Sequence, residues 1–263
     1  MASAGETLVE GIDRPWLDAQ ARLDPVAHAW ALWDLDHELG RFRIVSLVRG
    51  ASPVGYLLLW YASEIPRAHW VSSDSTDGLL ALALPLPPVI AIVPERVTAA
   101  VAERLHTSDV RPLDVLACDG RTLTPPDPRV RRLRSADASQ LVEMIARHPD
   151  VEMTGYDSAS RDLEHSLVWG AFEADRLVAV ARAAVQLPSV WVITGVYTDP
   201  AFRGRGLGRE VTAAATASAL ASGARATLIV RADNAAAQTI YREVGYKRVD
   251  RRMWVDASAG AVP

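Results

Sequence analysis

Cysteine is nearly absent from this chain. Cys118 stands alone among 263 residues, so no intramolecular disulfide framework is available, and the expected setting is a reducing cytosol. Lysine is as scarce: of 28 basic residues only Lys247 is a lysine, a bias that carries no functional weight. Long apolar runs are missing too. No stretch approaches the ~18 uncharged residues of a membrane-spanning helix. The opening residues, MASAGETLVEGIDRP, place acids where a secretory leader would place basic residues followed by an apolar core. The expectation is a cytoplasmic protein with no membrane partner. No cluster of His, Cys and Asp has metal-ligand spacing, so no metal is expected. Formal net charge is −4, and residues 1–128 carry 10 Arg against 17 acidic residues, while residues 129–263 carry 18 basic against 15 acidic. That small basic excess leaves no nucleic-acid footprint.

What is present is concentrated between Ser189 and Tyr246. Val190 to Thr198 is rich in β-branched and aromatic residues and reads as a strand. Asp199-Pro200 ends it, since proline cannot supply the next ladder bond. Arg203-Gly204-Arg205-Gly206-Leu207-Gly208-Arg209 then forms a basic, glycine-dense turn into a helix ending at Ser222-Gly223. A second strand, Ala226 to Arg231, and a second helix, Asn234 to Val244 with Gly245 closing it, complete the unit. Three glycines let the backbone approach a ligand closely and adopt conformations other residues avoid. The helix entrance offers unpaired amides and a favourable dipole for an anion, and arginines add fork-shaped donors. These features suit a phosphate or pyrophosphate better than a solvated surface loop.

Two common phosphate motifs are excluded. No lysine and Ser/Thr follow Gly208, as a P-loop needs. Gly204, Gly206 and Gly208 give G-x-G-x-G, without the spacing or the ribose-reading acid of a dinucleotide site. The pattern R-x-x-G-x-G at Arg203, Gly206 and Gly208 instead resembles the GCN5-related N-acetyltransferase (GNAT) superfamily. The resemblance continues through Asn234, Tyr241 and Gly245-Tyr246 and covers about residues 129–255. The wording Gly195-Val-Tyr-Thr before the loop is most similar to the FR47-like branch, which includes glycine N-acyltransferase relatives.

The resemblance implies an α/β (α+β) fold: a C-terminal GNAT domain with a mixed central sheet flanked by helices. It implies acetyl-CoA as cosubstrate and an acyl transfer to an amine. Backbone groups of Val196, Tyr197 and Thr198 would pair with pantetheine, and the stretch Arg203, Gly204, Arg205, Gly206, Leu207, Gly208 and Arg209 would take the pyrophosphate. Asn234 would contact the cofactor, and Tyr241 would act as general acid. Each of the last two has a plain structural alternative: Asn234 as a helix N-cap, Tyr241 as a core tyrosine. No general base is singled out; Glu152, Asp157, Glu164 and Glu173 are candidates by position alone. The acceptor is expected to be a small-molecule amine or an amino acid, the enzyme a monomer or homodimer. A protein or peptide acceptor, or an idle acyl-CoA-binding module, are the alternatives.

The first half reads as helix, three strands, short helix, strand, helix, strand. Residues 1–14 are expected to be a loosely docked arm, and Asp24-Pro25 to Leu39 a helix whose Val26, Trp30, Trp33 and His37 face the core. His28 and His37 are expected to be structural or solvated. The element order suggests a degenerate GNAT-like duplicate, with Ser72 to Gly78 where the second half has its glycine-arginine loop. Two aspartates there would repel a pyrophosphate. Three prolines within Arg121 to Pro128 favour an extended linker, so the expected domains are residues 1–125 and 126–263. His148 to Arg161 is expected to be the acceptor-selecting flap.

Overall fold

The computed structural model describes residues 5–38, 40–61, 65–72, 78–120, 127–147, 163–164 and 166–259. The segments expected to be a linker (within Arg121 to Pro128) and an acceptor-selecting flap (His148 to Arg161, with Glu152 and Asp157) fall largely on 121–126 and 148–161, which, like 73–77, lie outside the described residues. Two compact units form. The first comprises Met1–Asp114, Arg231–Asp233 and Asp250–Pro263, the second Val115–Val230 and Asn234–Val249. Each unit therefore includes a piece from the other side of the proline-rich segment.

In the first unit, strand β1 (Glu6–Glu10) precedes helices α1 (Arg14–Leu23) and α2 (Pro25–His37). Strands β2 (Phe42–Arg49), β3 (Ser52–Trp60) and β4 (Arg67–Ser72) follow, then helix α3 (Gly78–Leu82), β5 (Val89–Pro94), helix α4 (Thr98–Arg104) and β6 (Val110–Cys118). The last strand of the chain, β12 (Lys247–Ala257), pairs antiparallel with β5 from Arg252 opposite Pro94 to Ala257 opposite Val89. The sheet order is β1-β2-β3-β4-β5-β12. Alternation along the strands sorts side chains onto two faces. Leu47, Leu57, Leu59, Ala68 and Trp70 pack with Leu80, Val97 and Val101 of the α3–α4 side. Ile44, Tyr56 and Leu58 pack with Leu17 of α1 and Ala31 of α2. Both helices start on an aspartate followed by proline: Asp13 accepts from the Trp16 amide at 2.9 Å and Asp24 from Ala27 at 3.0 Å.

Two expectations for this half need correction. Residues 6–10 are not an arm but a strand, laddered to β2 from Glu6 opposite Arg49 to Glu10 opposite Val45; its two-faced pattern is weak because it is an edge. The stripe on α2 is also displaced. The buried residues are His28, Ala29, Ala31 and Asp34, whereas His37 is exposed and stacks on Trp33 with ring centroids 3.8 Å apart. Of the expected stripe, half-buried Trp30 does pack against that core, while small residues let the helix approach the sheet. His28 is structural: its Nδ1 lies 3.0 Å from the Tyr56 hydroxyl.

The second unit contains β7 (Val130–Arg132), α5 (Ala138–Ala146), β8 (Leu167–Glu173), β9 (Arg176–Gln186), β10 (Val190–Thr198), α6 (Leu207–Ala221), β11 (Arg225–Arg231) and α7 (Ala235–Val244). Its strands run in the order β6-β11-β10-β9-β8-β7. On β6 the Leu116 carbonyl accepts from Thr227 Oγ1 of β11 at 2.8 Å. Helix α6 covers one face, where Trp169, Ala181 and Ile193 meet Leu207, Val211 and Ala215. Helix α5 covers the other, where Val168, Val180 and Tyr197 meet Leu141 and Met144. The α5 entrance is held by buried Asp137, which accepts from both terminal nitrogens of Arg131 and from the Arg134 amide. The β8–β9 hairpin turns through Ala174 and Asp175, both at positive φ, as a tight two-residue hairpin requires. Three strands, a helix, a strand, a helix and a strand thus occur twice along the chain: a mixed α/β fold in both halves.

Candidate active site

Strand β10 is where the second unit opens. Its parallel ladder to β11 runs only from Val190 opposite Arg225 to Val192 opposite Thr227. On its other edge the ladder to β9 continues to Thr198 opposite Ala179. That ladder is broken by register shifts at Val192/Ile193 and Thr194/Tyr197, with Gly195 at φ 57° inside the second. A glycine-bearing bulge twists its strand and redirects side chains. β10 and β11 therefore part company after the first turn of the ladder, leaving main-chain length for an extended ligand to pair with. Val196 and Thr198 are half-buried here. The Tyr197 ring is buried toward Met144, and burial raises its phenol pKa.

The strand ends on Asp199, whose carboxylate is buried. It accepts from Arg176 at 2.7 Å and from the Ala201 amide at 3.0 Å, capping a 3-10 turn over Pro200–Phe202. Phe202 in turn lies beneath Arg205, with the guanidinium carbon 5.0 Å from the ring centroid. Arg203 folds back so that Nε donates to the Thr198 carbonyl at 3.2 Å. Gly204 and Gly206 both have positive φ, near 76° and 77°. A Cβ at either would meet nothing within 4 Å, so only the backbone conformation demands glycine there. Gly206 is the N-cap of α6 and brings no side chain to the first-turn amides of Leu207, Gly208 and Arg209. An ordinary serine or aspartate cap would cover those donors; this helix leaves them for a ligand.

Gly208 has a different reason to be glycine. A Cβ there would sit 3.1 Å from Thr198 Oγ1 and 3.6 Å from Ile240 Cδ1. The end of β10, the start of α6 and the flank of α7 converge at this point. Leu207 is buried and anchors the helix, while Arg209 pairs with Glu210 at 2.5 Å. Arg203 and Arg205 are exposed. The glycine-arginine segment thus meets the requirements of a pyrophosphate cradle: bare amides, positive charge and room.

Asn234 caps α7, its Oδ1 accepting from the Ala237 amide at 3.1 Å. Its amide nitrogen remains as a donor. Tyr241 lies two turns along, only 8% exposed, in the same apolar cluster as Leu207 and Ile193. Desolvation pushes its phenol up to about 12, and its hydroxyl makes no hydrogen bond among the described residues. Both structural alternatives for these two residues are met, and neither occupies the group that a cofactor would use.

Of the carboxylates singled out as bases, Glu173 is committed to Arg129 at 2.7 Å and Glu164 is exposed. What sequence reasoning missed is the bulge at Gly195 and the close approach of Thr198 to Gly208. A glycine inside an otherwise β-branched strand was the available signal. In the first unit the matching place is closed. There β4 and β5 pair only from Arg67 opposite Ile90 to His69 opposite Ile92. Beyond that, Arg96 donates to the Ser72 carbonyl at 3.1 Å and Arg252 to the Trp70 carbonyl at 3.1 Å. Two arginines occupy the edge that β10 leaves open.

Comparison with known proteins agrees with this geometry. Residues 131–246 match the model of a family described as Acetyltransferase (GNAT) family. A GNAT-family protein from Novosphingobium aromaticivorans is 22% identical, with 75% of this chain and 86% of that one covered and a TM-score of 0.57. A Drosophila protein covers 96% of this chain and 98% of its own at 15% identity and a TM-score of 0.70. A tandem GNAT protein from the clavulanic acid biosynthesis pathway covers 96% and 99% at 14% identity and a TM-score of 0.59. At such identities these structures establish the fold, and they do so over both halves. No curated protein sequence matches the chain.

Proposed function

We propose that the protein is an acyl-CoA-dependent N-acyltransferase, a reading supported by the match of residues 131–246 to the GNAT acetyltransferase family model. Acetyl-CoA is the donor we assign, and the amine of a small molecule or an amino acid the acceptor. The Gly195-Val-Tyr-Thr wording supports a place in the FR47-like, glycine N-acyltransferase-like branch as part of this reading. One observation carries the reading: a glycine-capped helix entrance and a parted strand pair converge at Thr198 and Gly208, beside the helix bearing Tyr241.

Acetyl-CoA supplies an activated thioester. The remaining work belongs to the chain. The amides of Leu207, Gly208 and Arg209, with Arg203 and Arg205, bind the pyrophosphate. The main chain of Val196 to Thr198 orients the pantetheine arm, and the Asn234 amide nitrogen adds a donor. Tyr241 holds the proton that the departing sulfur needs. A phenol near pKa 12 stays fully protonated at neutral pH and still outcompetes water as a positioned acid.

The test is a product assay with the intact protein, acetyl-CoA and a panel of amines and amino acids, read as free thiol and as product mass. Acetylated product from a small amine supports the reading. The pairing of Glu173 with Arg129 favours one rival, an idle module that binds cofactor without turnover. Tight acetyl-CoA binding with no product from any amine or peptide would establish that rival instead.

A further inference from the structure

The first unit contains an arginine that has no counterpart among the described residues. Arg67 opens β4 opposite Trp60, on the face shared with His69 and Val71, which is the side covered by α1 and α2. It is half-buried; its Nε is sealed from solvent with no hydrogen-bond partner. No described residue forms an ion pair with its guanidinium. Removing a guanidinium donor from water without an acceptor is costly, and the neighbourhood does not repay it.

The surroundings define what would. His69, two residues on, is paired across the strands with Leu58 and Ile92, and its ring stands 6.1 Å from that of Trp30. Burial, then Arg67 and Arg252, hold its pKa down near 4, so it is a neutral donor or acceptor at physiological pH. Arg252 is already matched, with Nε 2.6 Å from Asp250 and Nη1 on the Trp70 carbonyl. Arg41, over the Trp60 ring, is matched by Glu38 at 3.2 Å. Among the described residues the Arg67 charge remains uncompensated, beside a neutral imidazole that faces an indole ring.

We propose that the first unit holds a binding site for a small organic carboxylate with a flat apolar body, its carboxylate on Arg67 and its body against Trp30 and His69. A single uncompensated charge suits a monoanion better than a phosphate dianion. The guanidinium fork matches a carboxylate in two parallel bonds. The unit would thus bind a ligand without acyl-CoA chemistry, since Arg96 and Arg252 fill the edge where pantetheine would lie.

The experiment uses the full-length protein and sodium benzoate as probe, with inorganic phosphate at matched ionic strength as contrast. Benzoate should raise the melting temperature saturably and shift the His69 imidazole resonances, whereas phosphate should do neither. Arg67→Met should weaken benzoate binding about 10- to 100-fold, the worth of a charge-assisted bond. The same variant should melt no lower than wild type, because it removes an unpaired charge, and its response to acetyl-CoA should be unchanged. Absence of any benzoate effect on the wild type overturns the site, as does an effect that survives Arg67→Met or is lost in Arg203→Glu. Should Arg67→Met not fold, unmoved His69 resonances in the wild type overturn it alone. An equal response to phosphate overturns the carboxylate assignment.

Discussion

The ring of Tyr246 meets the ring of Tyr241 edge-on, with centroids 6.0 Å apart and planes at 63°. Gly245, at φ 108°, turns the chain back at the end of α7, so that the Tyr246 amide donates to the Tyr241 carbonyl at 2.9 Å. The Tyr246 hydroxyl is then fixed 2.8 Å from Thr216 Oγ1, in the middle of α6. The proposed acid thus rests against a tyrosine that is itself tied to the helix whose first turn is the proposed cradle.

Tyr241→Phe should leave the fold nearly intact. The lost hydroxyl has no hydrogen bond among the described residues, so the change in stability should be below the ~1 kcal/mol of an ordinary bond. Activity should respond differently: kcat should fall by about 10²–10⁴-fold if protonation of sulfur limits turnover. Acetyl-CoA affinity should move little. A kcat near wild type would assign that proton to water. A pH profile offers a second check. With the phenol up at about 12, no descending limb from Tyr241 should appear below about pH 11.

Tyr246→Phe separates support from chemistry. It removes the buried bond to Thr216 and should cost about 1 kcal/mol of stability. Thr216 keeps its bond to the Thr212 carbonyl at 2.8 Å, so α6 should persist. Chemical denaturation measures the loss, and a stability equal to wild type would show that the pair contributes nothing.

Gly206→Val should abolish the rise in melting temperature that acetyl-CoA confers by mass action. A β-branched residue at φ 77° costs about 1–3 kcal/mol, and relief of that strain would move the first-turn amides. Arg203→Glu should give the same loss of response without the strain. Retention of the full acetyl-CoA shift in both variants would remove the pyrophosphate from this loop.

Asp34 sets a pH dependence in the first unit. It is 2% exposed, and desolvation, then Glu38, raises its carboxyl to about 8. A folded pKa above the unfolded value near 3.9 means that its stabilising contribution is complete below about pH 4 and is lost as pH rises toward 8. Asp34→Asn should therefore be neutral at pH 4 and stabilising, on the order of a few kcal/mol, at pH 8. His28, depressed by burial, acts in the opposite direction on acidification, so the readout is the difference between variant and wild type across pH. A flat difference would show that Asp34 stays ionised.

Cutting the chain at residue 125 should leave neither fragment folded alone. The first unit uses Asp250–Pro263 and the second uses Val115 onward, so each fragment would lack a strand beside β5 or β11. Co-expression of residues 1–125 with 126–263 should restore a soluble complex that responds to acetyl-CoA. Two independently soluble, cooperatively melting fragments would contradict this.

Local order was written in the residues. The capping aspartates before prolines, Gly245 closing α7, and the run from Arg203 to Gly208 entering α6 each act through backbone preference within a few positions. So does Asn234, whose capping role depends only on its neighbours. Such preferences read correctly because nothing distant can relax a positive φ or fill an uncapped amide. Long-range pairing was not written there. That β12 lies beside β5, that β10 leaves β11 after Val192, and that Arg96 and Arg252 close the equivalent edge in the first unit depend on residues far apart in the chain. A strand carries no mark of which edge will receive it, because main-chain donors and acceptors are the same in every residue but proline. The stripe on α2 held only at Trp30, for a related reason. Helical period identifies a face, but whether large rings or small residues meet the sheet is decided by how closely the two must pack, and here Ala29, Ala31 and Asp34 lie inward.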